Sequence, residues 1–246
     1  MKLLASVVNV EEAKAAIIGG AHIIDVKNPD EGSLGANFPQ VIREISSLKM
    51  VFRNGFEVSA AVGDAPNLPG TISLACVGAA TAGADYVKIG LFGVKNEKEA
   101  IYMMGQAKKS LNELGFLSKL VVAGYADAAN IGAVSPLSIP EVGRFSDCEV
   151  VMLDTIQKNK GGLFDFISLN ELRLFVDQAH SYGLKVALAG SLNAENIPKL
   201  YDLSVDIVGV RGALCEKGLR TAKLKPEKVQ ELASLINLKH PLPTIK

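Results

Sequence analysis

Cysteine and histidine are scarce in this 246-residue chain, with three of each. Cys76, Cys148 and Cys215 stand far apart and form no CxxC pair. That argues against a disulfide framework and predicts a reducing cytoplasm. No two histidines have metal-ligand spacing, which argues against a His-built metal centre and leaves only carboxylates for a hard cation such as Mg²⁺. Net charge is lacking too. Lys and Arg number 26, Asp and Glu 26, so no basic field draws nucleic acid or an anionic membrane. No apolar run reaches the ~18 residues of a transmembrane helix. The start, Met1-Lys2-Leu3-Leu4, enters a strand-like run and soon meets Glu11 and Glu12, which is not the plan of a secretory leader. A Gly- or Pro-rich linker is missing, as is a GxGxxG after the first strand, where the chain reads Val7-Val8-Asn9-Val10. The latter weighs against a doubly wound dinucleotide-binding sheet.

What is present is a regular alternation. Hydrophobic residues make up 48% and charged residues 21%, a globular mix with ample material for a core. Apolar runs predict strands over 3–7, 22–26, 57–61, 86–90, 120–124, 150–154, 185–189 and 206–210. They are continuous rather than alternating, as parallel strands covered on both faces require. Helical stretches lie between them. Asn9 caps a helix through Ile18 that stops at Gly19-Gly20; helix formers run from Glu97 to Lys109; Ser168 precedes a helix to Tyr182 that stops at Gly183. Asn193 precedes another to Leu200, and Pro226 opens a last one towards Leu235. Eight βα units in this length predict a single (β/α)₈ TIM barrel over 1–246, with a short C-terminal extension near 239–246. Gly63-Asp64-Ala65-Pro66 and Pro69-Gly70-Thr71 read as a loop able to cover the barrel mouth, and Gly78 and Gly83 as sites of close packing.

In such a barrel the reacting groups gather at the C-terminal ends of strands. Asp25 and Lys27 end the second strand, Lys88 lies on the fourth, and Asp154 ends the sixth with Lys158 shortly beyond. Two residues apart, Asp25 and Lys27 share a strand face at ~6.6 Å, with Val26 turned to the helices. A single strand-end lysine reads as a rim charge or half of an ion pair. Two lysines and two carboxylates on alternate strands point to a site, because such charges are costly unless paired or used. A neutral lysine amine attacks carbonyls to form an imine. With pKa ~10.4 it is neutral at pH 7 only about once in 2,500 molecules, so burial or a neighbouring cation must depress it. The turns Gly190-Ser191 and Arg211-Gly212, after strands seven and eight, sit where barrels commonly hold phosphate, on backbone N–H groups and helix N-termini. Tyr125 and Asp127 either reach substrate or cap the next helix. His180, near a helix C-terminus, complements the dipole rather than catalysing.

Taken together, the segments Gly20–Asn28-Pro29, Glu31–Asn37, Gly63-Asp64, Pro69–Thr71 and Gly83–Gly90 carry a resemblance. It continues through Ala123–Asp127, Met152–Thr155, Leu163–Asp165, Ala187–Ser191 and Val208–Gly212. The chain resembles the (5-formylfuran-3-yl)methyl phosphate synthases of methanofuran biosynthesis, in order and over nearly its whole length. His22 and the proline-bearing tail depart from the family pattern. The resemblance implies a TIM barrel, a Schiff-base role for Lys27 in the DVKNP segment, and a proton-transfer role for Lys88 in the DYVKIG segment. Asp25, Asp154 and Lys158 occupy the accompanying polar positions; Lys160 lies two residues beyond the last of these. The implied reaction condenses two glyceraldehyde 3-phosphate molecules into 4-(hydroxymethyl)-2-furancarboxaldehyde phosphate, losing phosphate and water, without cofactor or metal. Gly190, Ser191, Gly212 and Arg211 would hold the retained phosphate. The expected partners are triose phosphate and further copies of the chain. Rival readings are a class I aldolase for another phosphorylated aldehyde, a non-enzymatic phosphometabolite-binding protein, and a pyridoxal-phosphate lysine.

Overall fold

The computed structural model describes residues 1–53 and 55–238; the expected tail at 239–246 lies outside the described residues. Strands β1 (Lys2–Val7), β2 (Ile23–Val26), β3 (Glu57–Asp64), β4 (Tyr86–Gly90), β5 (Lys119–Tyr125), β6 (Val150–Asp154), β7 (Lys185–Leu188) and β8 (Ile207–Val210) close in sequence order. Every pair is parallel, including β1 with β8. The molecule is a TIM barrel.

Two apolar layers hold it. Ile24, Val26, Val87, Val151 and Val186 face outward onto the helices. Ile23, Tyr86, Val121, Val150, Met152 and Ile207 fill the barrel interior. The alternation within β2 puts Ile23 and Asp25 inside and Val26 outside, as the period of two demands.

The helices are α1 (Val10–Ile18), α2 (Pro39–Ser47), α3 (Pro69–Thr81), α4 (Glu97–Glu113), α5 (Ile139–Phe145), α6 (Leu163–Phe166), α7 (Leu169–Ser181), α8 (Ile197–Asp202) and α9 (Pro226–Leu238). Asn9 accepts the Glu12 N–H at 2.9 Å, capping α1. Ser168 and Glu171 form a reciprocal cap on α7. Around Asn193 the structure differs from expectation: a 3₁₀ turn at Ala194–Asn196 precedes the shorter α8.

Two further expectations are corrected. Pro69-Gly70-Thr71 does not cover the mouth; it is the first turn of α3, where Pro69 loses no hydrogen bond. A Cβ at Gly78 would meet open space, so that glycine is not a packing site, whereas one at Gly83 would strike Ser46 Oγ at 2.5 Å. The mouth is covered instead by the segment between β2 and α2. Leu34 from that segment is fully buried in the interior cluster. Its N–H donates to Asp64 at 3.2 Å, and Asp64 also accepts the Tyr125 hydroxyl at 2.5 Å. Among the described residues no helix is long and apolar enough to cross a membrane.

Candidate active site

The barrel register aligns three polar residues. Ser6 on β1 lies beside Asp25 on β2, and Asp25 beside Ser59 on β3. The Ser6 hydroxyl donates to Asp25 at 3.0 Å and the Ser59 hydroxyl at 2.8 Å. Lys88 reaches both Asp25 oxygens, at 2.7 and 2.8 Å. Lys88 and Asp25 are 1% and 0% exposed, so each needs the other to compensate lost hydration. Burial alone would raise the Asp25 pKa; Lys88, then Lys27, reverse this and hold the carboxyl below its ordinary value.

A cleft of about 480 Å³ opens above this layer at the C-terminal ends of the strands. Asp25, Lys27, Asp154 and Lys158 line it, so four of the five expected catalytic residues meet there. Lys88 is the exception: it lies behind Asp25, off the cleft wall. Lys158 pairs with Asp154 and also donates to Thr155 Oγ1 at 3.0 Å. Lys160, the other lysine of this loop, is exposed and not on the cleft wall. The loop is fixed from β5: Asp127 accepts the N–H groups of Ile156 and Gln157 at 2.9 and 2.8 Å. Asp127 and Tyr125 therefore brace loops and do not line the cleft.

Lys27 is buried, and its amine donates to the Ser33 carbonyl at 3.3 Å. Burial lowers its pKa to about 8. Asp154 and Asp25 oppose that shift, while Lys88 and Lys158 reinforce it. At pH 7 about one Lys27 in ten is then neutral, against about one in 2,500 for a free lysine. Asp154 would be raised by burial, but Lys158 and Lys27 overcome this and bring it to about 2. It is anionic throughout the physiological range.

The expected phosphate turns are present, with one correction. Gly190 has φ +109, and a Cβ there would meet Thr155 and Leu163 at 3.1 and 3.3 Å, so both conformation and space require glycine. Ser191 follows with φ 55. Among the described residues the N–H groups of Gly190, Ser191, Gly212 and Ala213 have no acceptor, and all four residues line the cleft. Such consecutive amides suit an anion. No long helix starts behind them, however. A 3₁₀ turn at Gly212–Leu214 follows β8, so helix dipoles add little.

Arg211 is also corrected. It touches the cleft wall, but its five N–H groups point to Glu12, Ser6, Arg220 and Ala222. Sequence reasoning missed Ser6, Ser59 and Ser33, whose hydroxyls complete the polar layer and tie the loops. Ser33 donates to the Thr155 carbonyl at 2.8 Å, bridging the β2 and β6 loops. It also missed Arg220, which lines the cleft. Alternation along β1 and β3 could have revealed Ser6 and Ser59 as inward-facing, but no local signal marks Arg220.

Comparison with known proteins supplies a family. The model of 4-HFC-P synthase matches residues 3–233. The chain is 51% identical to the (5-formylfuran-3-yl)methyl phosphate synthase of Methanopyrus kandleri over 96% of its length and 98% of the relative's. It is 53% identical to the synthase of the same name from Methanocaldococcus jannaschii, over 96% and 99% of the two chains. Among solved structures, the 3-hexulose-6-phosphate synthase of Salmonella typhimurium superposes with a TM-score of 0.65 at 16% identity, covering 98% of this chain and all of the other. That likeness concerns the fold alone. By the family match and the full-length identity, this chain is an enzyme and belongs to the 4-HFC-P synthase family.

Proposed function

We propose that this enzyme condenses two molecules of glyceraldehyde 3-phosphate into 4-(hydroxymethyl)-2-furancarboxaldehyde phosphate, through an imine on Lys27. The name of the relatives, (5-formylfuran-3-yl)methyl phosphate synthase, supports the product. The observation that carries the mechanism is a buried lysine amine, lowered to about 8, facing a cleft between two lysine–aspartate pairs.

The neutral Lys27 amine adds to the carbonyl of one triose phosphate, in its ketone form after isomerisation, and releases water. Protonation of the imine withdraws electrons and acidifies the adjacent carbon. That carbon attacks the aldehyde of the second triose. The anionic Asp154 stabilises the iminium and holds Lys158, whose ammonium is placed to give protons to the cleft. Lys88 exchanges protons through Asp25 rather than by direct contact. Elimination, ring closure and hydrolysis of the imine follow; the atoms balance with one phosphate and two waters released overall. The turns at Gly190 and Gly212 hold the phosphate that is kept. The segment carrying Ser33 and Leu34 limits water over the imine. The scheme calls on no cofactor or metal. We take the enzyme to work in the reducing cytoplasm, where its three buried cysteines stay free thiols, and as a homo-oligomer joined through outer helices.

Borohydride trapping with glyceraldehyde 3-phosphate tests the imine. A substrate-sized adduct mapped to Lys27, lost in Lys27→Ala, is expected, together with a furan product from untreated wild type. An adduct without furan would make the protein a class I aldolase. No adduct from substrate that demonstrably binds would end the Schiff-base mechanism.

A further inference from the structure

The condensation brings two phosphate esters into one cleft, each carrying about two negative charges near pH 7. The amide turns at Gly190 and Gly212 suit one of them. The cations on the cleft wall decide where the second can go. Lys158 is engaged by Asp154. Arg211 is neutralised by Glu12, with contacts at 2.5 and 3.2 Å, and is 8% exposed. Its remaining N–H groups donate to the carbonyls of Ser6, Arg220 and Ala222, at 3.1, 2.8 and 3.3 Å. A planar guanidinium has five N–H donors, so none is left for a substrate.

Arg220 is different. It lines the same cleft from the segment between β8 and α9. Its side chain is half-buried and donates to the Gly32 carbonyl at 3.2 Å, beside the segment that covers the mouth. Among the described residues it has no carboxylate partner. With Asp25–Lys88 and Asp154–Lys158 paired, Arg220 is the permanently charged cation on this wall that lacks a counter-ion. Guanidinium donors in a fixed fork match a phosphate well.

We infer that Arg220 binds the phosphate of the triose that enters second, and that the buried Glu12–Arg211 pair positions it. Its rim location favours the later-arriving substrate, since Lys27 lies deeper. The pair is built into the loop at both ends. Arg211 holds the Arg220 and Ala222 carbonyls, and Glu12 accepts the Leu224 N–H at 3.3 Å. Arg211 is thus a positioning residue, and Arg220 a substrate-binding one. This inference rests on the two-substrate reading above.

The test compares wild type, Arg220→Gln and Arg220→Lys, each checked for folding by circular dichroism. For Arg220→Gln, the KM for glyceraldehyde 3-phosphate should rise about tenfold or more, as for loss of a charge-assisted hydrogen bond, and by more than kcat falls. Arg220→Lys should recover part of the loss. Calorimetric titration with inorganic phosphate provides a readout independent of turnover, and should show weakened binding in Arg220→Gln. Wild-type KM and phosphate affinity in Arg220→Gln would overturn the assignment of Arg220 while leaving the condensation intact. Absence of a furan product in wild type would overturn the condensation, while the phosphate titration would still decide the anion site.

Discussion

For the imine proposed on Lys27, the side chain must be neutral to attack a carbonyl and cationic, as an iminium, once it has done so. Its surroundings meet both needs. Burial lowers its pKa to about 8, and Asp154 and Asp25 stand by to stabilise positive charge. The sign of the pH dependence follows. The reactive form is the free amine, and the folded pKa lies below the ordinary 10.5. The initial rate of borohydride-trapped adduct formation should therefore rise about tenfold per pH unit below about 8 and level off above it. Asp154→Asn removes a group that raises the Lys27 pKa, so the midpoint should move to lower pH. A midpoint near 10.5 in wild type, or an upward move in Asp154→Asn, would contradict this account. Asp25→Asn is a poorer probe, because it would also strand the buried Lys88.

Among the elements, the link between α1 and the segment after β8 bears most on the site. Glu12 and Arg211 are 6% and 7% exposed at their side chains. Removing one partner of such a pair costs about 3–5 kcal/mol, since the other is left charged and buried. Glu12→Gln should lower the urea unfolding free energy by about 3 kcal/mol or more. The double variant Glu12→Gln/Arg211→Met should lose less than the sum of the two single losses. Additive losses would mean that the two side chains are not coupled. This pair also marks where sequence reading stops. The strands were legible to within a few residues, because parallel strands buried on both faces are unbroken apolar runs. α2, α3 and α5 were not, and all three begin with proline in the first turn. In α3 the Pro69-Gly70 start imitates a turn, and the helix carries no charged residue to mark an outer face. Lys27, Asp25 and Asp154 could be placed from strand ends and the two-residue period. Arg211 looked like the phosphate arginine because it follows a strand, but its partner Glu12 is 199 residues away. Arg220 enters the cleft only through the tertiary fold of its loop.

At the scale of the whole molecule, the barrel is an apolar cylinder with a buried charged layer at its C-terminal end and a more exposed cluster of Lys2, Glu57 and Lys119 at the other. Two of the cations in the buried layer are matched by carboxylates, Lys88 by Asp25 and Lys158 by Asp154. Lys27 is surplus, and its lowered pKa measures how poorly its cation is accommodated. A buried cation held in this way costs stability. Below pH 8 Lys27 is protonated in both the folded and the unfolded chain, so the penalty is fully present. It fades as pH rises from about 8 towards 10.5, where the folded form is neutral and the unfolded form progressively becomes so. A lysine lowered from 10.5 to about 8 carries a penalty of about 3 kcal/mol at most. Lys27→Met keeps an unbranched side chain, one atom shorter, and removes the charge. It should abolish adduct formation and yet raise the Tm at pH 7 by several degrees, at about 2–4 °C per kcal/mol for a chain of this size. The gain should shrink as the scans are moved from pH 8 to pH 10. A Met variant that melts below wild type at pH 7 would mean that Asp25 and Asp154 depend on the Lys27 cation for their own burial, and that the site forms one interlocked network rather than two closed pairs around a strained amine.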